Sequence, residues 1–421
     1  MQENIIENFI TLTKLSHCSR KTEELFNFII NFSKERDYQV EVDTVKNILI
    51  KKGNPSLALQ AHYDMVCMGK APQIETYVKE GWMYAKDSSL GADNGMAIAM
   101  MMELMEEGRE LEFLLTADEE IGLVGATGIE LELSSKYMLN LDFEDEGIVC
   151  IGCAGGVDIL GKKVLYETEG YTYNYELTIS GLPGGHSGVE IHKNIPNAIK
   201  VMADFLKNKS VLISSFIGGE RRNSIPTNVQ VKLSSEEVLE STEWIQVKQF
   251  DEPLKSFESD DLVSFIQVFN HGIDSYNEEF NLADSSINLA LIHCENGVLQ
   301  IDTSARAMSA ESLEEISEKN IQLFIDYGFN VEVEDKYGSW KPEVNEFTKS
   351  VKDAMISVYG KSHYEAIHAG LECGVLLERY PYIKFASIGP TIVSPHTTHE
   401  KVHLASVEKI FNVVQSLIDN L

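Results

Sequence analysis

Cysteine is scarce in this chain, six in 421 residues, too few to read as a disulfide framework at this length. No apolar run approaches the ~20 residues needed to cross a bilayer. The start, Met1-Gln2-Glu3-Asn4, lacks the basic flank and apolar core of a signal peptide. Basic residues are also short: 35 Lys and Arg stand against 66 Asp and Glu, a formal charge of −31. Such a surface repels a phosphate backbone, so nucleic acid is not an expected partner. There is no internal repeat and no low-complexity tract. These absences leave a cytoplasmic globular protein as the expectation, with no membrane partner. At this length two domains are expected.

One C-x-x-C pair, Cys150 and Cys153, raises the question of a redox or zinc site. No second pair completes a four-sulfur site, and Cys153 runs into Ala-Gly-Gly rather than a helix start. Structural cysteines are the expectation there.

What is present begins with periodicity. Residues 3–35 carry apolar residues at helical spacing, and strands and helices then alternate. Val45–Ile50, Leu57–Gln60, Leu111–Thr116 and Tyr137–Leu141 read as buried strands, and Met96–Glu107 as a helix apolar almost all round, capped by Asp93 or Asn94. This texture predicts an α/β domain on a mostly parallel sheet. From about residue 170, segments such as Tyr173–Ser180, Val229–Leu233, Ile287–Ile292 and Val298–Thr303 alternate with period two. They predict an antiparallel sheet with one exposed face, accompanied by helices at Asn197–Lys207 and Ala310–Tyr327. The expected organisation is a catalytic domain in two pieces, 1–169 and 342–421, with an inserted α+β domain at 170–341.

Imidazole and carboxylate side chains fall repeatedly where strands end. His62 and Asp64 follow one strand, Glu119 and Glu120 a second, and Asp142 a third. Asp93 sits in the Gly91-Ala92-Asp93-Asn94-Gly95 loop, and His396 follows Ser394-Pro395. In open α/β sheets ligands gather outside the carboxyl ends of the strands, so one edge can bring these together. The mixture of nitrogen and oxygen donors suits zinc, manganese or cobalt. Asp93 could bridge two ions, Glu120 and Asp142 could each complete one, and His396 could supply a second nitrogen. Asp64 could orient His62. Glu119 could take a proton from water activated between the metals and pass it to a leaving amine. Taken singly each feature is ordinary, since a Glu-Glu pair is usually a solvated helix end and Asp-Asn-Gly a turn. Their order and placement are not.

That order resembles the cocatalytic zinc exopeptidases that include aminoacylase and carboxypeptidase G. Leu90–Gly95, Cys153-Ala154-Gly155-Gly156, Gly184–Gly188, His368–Gly374 and Ser387–Thr391 are similar to their aminoacyl-histidine dipeptidase branch. The resemblance implies one metal held by His62 and Asp142, another by Glu120 and His396, Asp93 between them, and Glu119 as general base. It implies that the inserted domain is a lid and homodimer interface, from which His186 stabilises the oxyanion. It also implies that Arg306 and Asn223 grip a substrate carboxylate, Arg306 by its fork, and that Glu372 reads a free amine beside His368. Gly-Gly-His-Ser-Gly could instead be only a tight turn, Arg306 a surface arginine, and Glu372 a packing residue. The implied activity is hydrolysis of Xaa-His or a broader set of dipeptides, a small peptide being the partner. The alternatives are an N-acyl amino acid amidohydrolase of the same fold and a catalytically silent peptide-binding protein. Three departures stand out: a shorter lid, Asp118 as a third acid beside Glu119, and His399 as a rival to His396.

Overall fold

A computed structural model describes residues 2–421; Met1, where the expected first segment begins, lies outside them. The chain divides into two compact units: Met1–Cys153 with Trp340–Ala366 and Leu371–Leu421, and Ala154–Ser339 with Ile367–Gly370.

The first unit is built on an eight-stranded mixed sheet. Its centre is parallel: Leu57–His62 runs beside both Glu112–Thr116 and Tyr137–Asn140, and Lys384–Ser387 runs beside Tyr137–Asn140. Antiparallel strands flank this centre, Ile48–Lys51 on one side and Ile148–Cys153 on the other. Every residue of Leu57–His62 and Glu112–Thr116 is buried, as expected of strands covered on both faces. A four-stranded antiparallel sheet, which periodicity did not reveal, joins Thr76–Lys79, Trp82–Ala85, Lys401–His403 and Ile392–Val393.

The helix Ala92–Glu106 is buried from Ala92 through Met105. A helix apolar on all sides has no solvent face to present, and each large side chain buried in it contributes roughly 1.5–3 kcal/mol. Its expected cap is corrected. Asp93 and Asn94 do not cap the helix; both have non-helical backbone angles, and the peptide between them is cis. Gly91 holds the cap position in the left-handed region at φ 72°, where a side chain would be strained.

The N-terminal helical stretch is two helices, Gln2–Leu12 and Glu23–Lys34. Cys18, in the break between them, is disulfide-bonded to Cys67, a pairing with no local signature in the sequence. Cys150 and Cys153 are buried free thiols, as are Cys294 and Cys373.

The second unit carries an eleven-stranded sheet whose pairings are antiparallel. Tyr173–Ile179 alternates in burial as its period-two pattern requires. Helices Ala198–Leu206, Asp260–Val268 and Ala310–Asp326 supply buried residues to the same core, among them Met202, Phe265 and Phe324. The boundaries lie at Cys153/Ala154 and Ser339/Trp340, not at residues 169 and 341. Strand Gly155–Val164 accounts for most of the shift: it pairs with Val298–Ala307 and Asn330–Tyr337, and its near-continuous burial hides any alternation.

The disulfide closes a loop of 49 residues, and such a link typically stabilises by about 2–4 kcal/mol. Dithiothreitol, or Cys18→Ser with Cys67→Ser, is therefore expected to lower the melting temperature by several degrees. An unchanged melting curve under reduction would show that the pair contributes no such constraint.

Candidate metal centre

Three of the four parallel strands at the centre of the first unit each deliver a polar group to one edge. His62 is the last residue of its strand. Glu119 and Glu120 open a short 3-10 turn after Glu112–Thr116, and Asp142 lies two residues beyond Tyr137–Asn140. Asp93 comes from the first turn of the buried helix. His396 comes from the loop between the short strands Ile392–Val393 and Lys401–His403, at φ 59°.

Asp93 is the centre of this arrangement. Its Oδ1 lies 3.1 Å from His62 Nε2 and its Oδ2 lies 3.0 Å from His396 Nε2. Beyond each imidazole stands a second carboxylate: Asp142 Oδ1 is 3.4 Å from His62 Nε2, and Glu120 Oε2 is 2.9 Å from His396 Nε2. Two three-residue groups result, His62–Asp93–Asp142 and Asp93–Glu120–His396, each with ligand atoms within 4.8 Å of one another. They share only Asp93. A third group joins His62, Glu119 and Glu120, so Glu119 stands inside the cluster. His399, the rival, is exposed and belongs to none of these groups.

Asp64 ties the centre together from behind. His62 Nδ1 lies 3.0 Å from the Asp64 carbonyl and 3.5 Å from its Oδ1. Donation from Nδ1 leaves Nε2 as the ligand atom. The Asp64 carboxylate also accepts from the backbone N–H of Glu119 at 2.9 Å and of Glu120 at 3.4 Å, and from Ser19 Oγ at 2.7 Å. One buried carboxylate thus fixes both the imidazole and the turn carrying the two glutamates. Burial works to raise the Asp64 carboxyl, but His62, Ser19 and the Glu119 N–H hold it below its ordinary range. Ser19 had no sequence signal, being 45 residues away.

The electrostatics ask for cations. Burial opposes charge on His396, yet hydrogen bonds to Asp93 and Glu120 push it up to about 11. Burial likewise opposes charge on His62, while Asp142, Asp64 and Asp93 raise it well above its ordinary value. Burial raises Asp142 to about 6, and it also raises Glu119 well above its ordinary value, with His62 opposing and Glu120, Asp142 and Glu372 adding repulsion. Glu144, missed in the sequence, is pushed to about 8 by burial and by Asp93 and Asp142. Glu120 Oε1 is buried without a hydrogen-bond partner. Two nitrogens, crowded carboxylates and one orphaned oxygen are a donor set that fits a pair of divalent ions.

Glu372 lies beside this cluster, within electrostatic reach of His62, Asp142 and Glu119. It is fully buried, its Oε2 accepting from Gln60 Nε2 and, at 2.7 Å, from Thr116 Oγ1. Burial pushes it to about 7. Through Oε2 it supports the strand ends from within the core, while Oε1 is buried without a hydrogen-bond partner.

The remaining expected residues gather in the second unit. His186 Nδ1 accepts from the N–H groups of Gly188 and Val189 at 3.1 and 3.2 Å, which assigns the ring proton to Nε2. The Ser187 N–H donates to the Asn223 carbonyl at 2.9 Å. Arg306 donates from NH1 to the Tyr337 hydroxyl at 2.6 Å, and its buried Nε has no hydrogen-bond partner. His368 Nε2 lies 2.7 Å from Ser286 Oγ, and burial with Arg306 nearby lowers it to about 3, so it is neutral. Gly188 sits among them: a Cβ there would stand 2.5 Å from the His368 carbonyl, 3.1 Å from the His186 ring and 3.3 Å from Arg306 Nε. Tyr337, the missed member, became visible only through strand pairing.

Comparison with known proteins follows the same lines. The model of peptidase family M20/M25/M40 matches residues 58–420. Cytosol non-specific dipeptidase of Escherichia coli (strain K12) is 29% identical over 473 residues, covering 98% of this chain and 96% of that protein. The crystal structure of aminoacylhistidine dipeptidase from Vibrio alginolyticus superposes with a TM-score of 0.84 at 27% identity, covering 99% and 96% of the two chains. A tripeptidase from Staphylococcus aureus shares the fold at a TM-score of 0.62 and 16% identity, covering 100% of this chain and 98% of its own.

A pH dependence follows from the raised groups. A group whose pKa is raised by folding stabilises fully below its unfolded value and loses that contribution as pH rises through the folded value. His62, His396, Glu119 and Asp142 all carry this sign. After chelation the melting temperature is expected to fall between about pH 5 and pH 8, and saturating Zn²⁺ or Mn²⁺ should remove the fall. A chelated protein that gains stability across this window would contradict the assignment.

Proposed function

The chain belongs to peptidase family M20/M25/M40, and on that premise we propose a two-metal dipeptidase of the cytoplasm, hydrolysing Xaa-His or a broader set of dipeptides. The observation that carries the reading is Asp93, whose two oxygens each face a different imidazole backed by its own carboxylate. The dipeptidase activities of the Escherichia coli and Vibrio relatives support dipeptides as the substrate class. No helix among the described residues is long and apolar enough to cross a membrane.

In this reading His62 and Asp142 would hold one divalent ion and Glu120 and His396 another, with Asp93 available to both. Imidazole with carboxylate suits zinc, and equally accepts manganese or cobalt. When bound, such ions supply Lewis acidity and lower the pKa of water. Glu119 is the proton carrier, taking the proton from the attacking water and handing it to the leaving amine. Its raised pKa suits the second act, and the positive charge of two ions would draw it down for the first. Asp64 positions His62 and the Glu119 turn.

In the second unit the assigned Nε2–H of His186 is a donor for a developing oxyanion. Arg306, with Asn223, is the grip for the substrate carboxylate; a planar fork with an unpartnered Nε supports that role. His368 is a neutral neighbour in the same cluster. The second unit is also the proposed homodimer interface.

Ala-His, β-Ala-His and N-acetyl-Met, offered to metal-loaded wild type and to Glu119→Ala, test the activity. Cleavage of the dipeptides is expected, with kcat falling by about 10²–10⁴ in the variant while both ions stay bound. Turnover of N-acetyl-Met alone would move the substrate to acyl amino acids, and turnover of none would leave a peptide-binding protein. Arg306→Lys keeps the charge and loses the fork, so KM for dipeptides should rise about tenfold or more with a smaller change in kcat. An unaltered KM would remove Arg306 from the binding role.

A further inference from the structure

Glu400 lies four residues beyond His396, in the same loop, and is buried. Its carboxylate is used entirely on backbone. Oε2 accepts from the N–H groups of Leu90 and Gly91 at 2.7 and 3.0 Å, and Oε1 from those of Ala92 and Asp93 at 2.8 and 3.3 Å. Four consecutive N–H groups turned toward one anion form a nest. The left-handed Gly91 permits that turn; a Cβ there would stand 2.9 Å from Met65 Sδ. No side chain caps the turn at Gly91, and the N–H groups of Ala92 and Asp93, just before the kink at Asp93–Asn94, are satisfied by a residue more than 300 positions away.

The consequence concerns Asp93. Its side chain faces both imidazoles, so small rotations of its backbone would move both oxygens at once. Its own N–H is held by Glu400, and its Oδ2 lies 3.0 Å from His396 Nε2. The segment from His396 to Glu400 therefore grips Asp93 at two points, once on the side chain and once on the backbone. We propose that Glu400 is the positioning residue for the bridging carboxylate, setting the Leu90–Asp93 nest so that Asp93 presents one oxygen to each ion. This rests on the reading of Asp93 as the shared ligand.

The chemistry makes the role specific to a carboxylate. All four partners are donors, and only an acceptor with two oxygens satisfies them. Glutamine has nearly the same shape but would turn an NH2 group toward two N–H donors, leaving them buried and unpaired. Aspartate retains both oxygens on an arm one methylene shorter.

The test is titration of Mn²⁺ and Zn²⁺ into the chelated full-length chain, followed by dipeptide kinetics and melting curves, for wild type, Glu400→Gln and Glu400→Asp. Glu400→Gln is expected to weaken metal binding and lower kcat by about 10- to 100-fold, with KM changing less than threefold, and Glu400→Asp to recover much of both. A merely structural cap would lower the melting temperature of Glu400→Gln and leave the folded protein's metal affinity within about threefold of wild type; that result overturns the proposal. Should Glu400→Gln fail to fold, Glu400→Ala, which leaves room for water to meet the four donors, carries the same comparison with the same two outcomes. Asp93→Ala separates the proposal from its premise. Wild-type metal binding by Asp93→Ala would remove the bridging assignment itself. Lost binding there, with Glu400→Gln intact, would overturn the positioning role alone.

Discussion

Like charge crowded at the end of a parallel sheet is the constraint from which the rest of the first unit follows. Asp93, Glu119, Glu120 and Asp142 stand within one cluster with two imidazoles. Two unit charges at about 4 Å in a partly shielded interior interact by roughly 4 kcal/mol, so several ionised carboxylates cannot stay together unaided. The folded chain meets this in one of two ways: it raises pKa values and keeps protons, or it accepts metal cations. Both use the same atoms, which is why proton and metal compete for the site.

Holding such a cluster in register requires rigid surroundings, and these are unusually apolar. The helix that presents Asp93 is buried through fourteen consecutive residues, Ala92–Met105, and the two strands that present His62 and the Glu119 turn have no exposed residue. Several backbone and side-chain donors in this interior are satisfied by buried carboxylates. Asp64 takes the Glu119 and Glu120 N–H groups, Glu400 takes four more, and Glu372 takes Gln60 and Thr116. Three buried acids, none of them a proposed ligand, hold the backbone and strand ends on which the proposed ligands depend. A count of acids in the sequence cannot separate those that bind metal from those that position the binders.

The second unit solves a different problem. Its antiparallel sheet brings Arg306 and Tyr337 together across Gly156, on the strand that pairs with both of theirs, and the Gly188 turn brings His186 and His368 to the same place. The cluster gathers one guanidinium and two imidazoles where the first unit crowds carboxylates, and Glu190 beside it accepts from the His186 backbone N–H at 2.9 Å. That asymmetry suits the proposed division of labour, with electrophilic metals in one unit and a grip for an anionic substrate end in the other.

Part of this was legible in the amino-acid order. The mixed α/β character and the strand ends bearing His62, Glu119, Glu120 and Asp142 follow from local apolar runs and from residue order, because strand ends and donor types are local properties; the preference for His396 over His399 comes from the family resemblance. The tertiary structure alone decided the rest. The unit boundary at Cys153 depends on pairing of Gly155–Val164 with distant strands. The Cys18–Cys67 link, the Ser19 bond to Asp64, the burial of Glu372 and the cap from Glu400 join residues between 45 and 312 positions apart. Hydrogen bonds and packing are set by distance in space, and periodicity reports only neighbours along the chain. The amino-acid order determined which chemistry was available; folding decided which acids carry that chemistry and which hold the others in place.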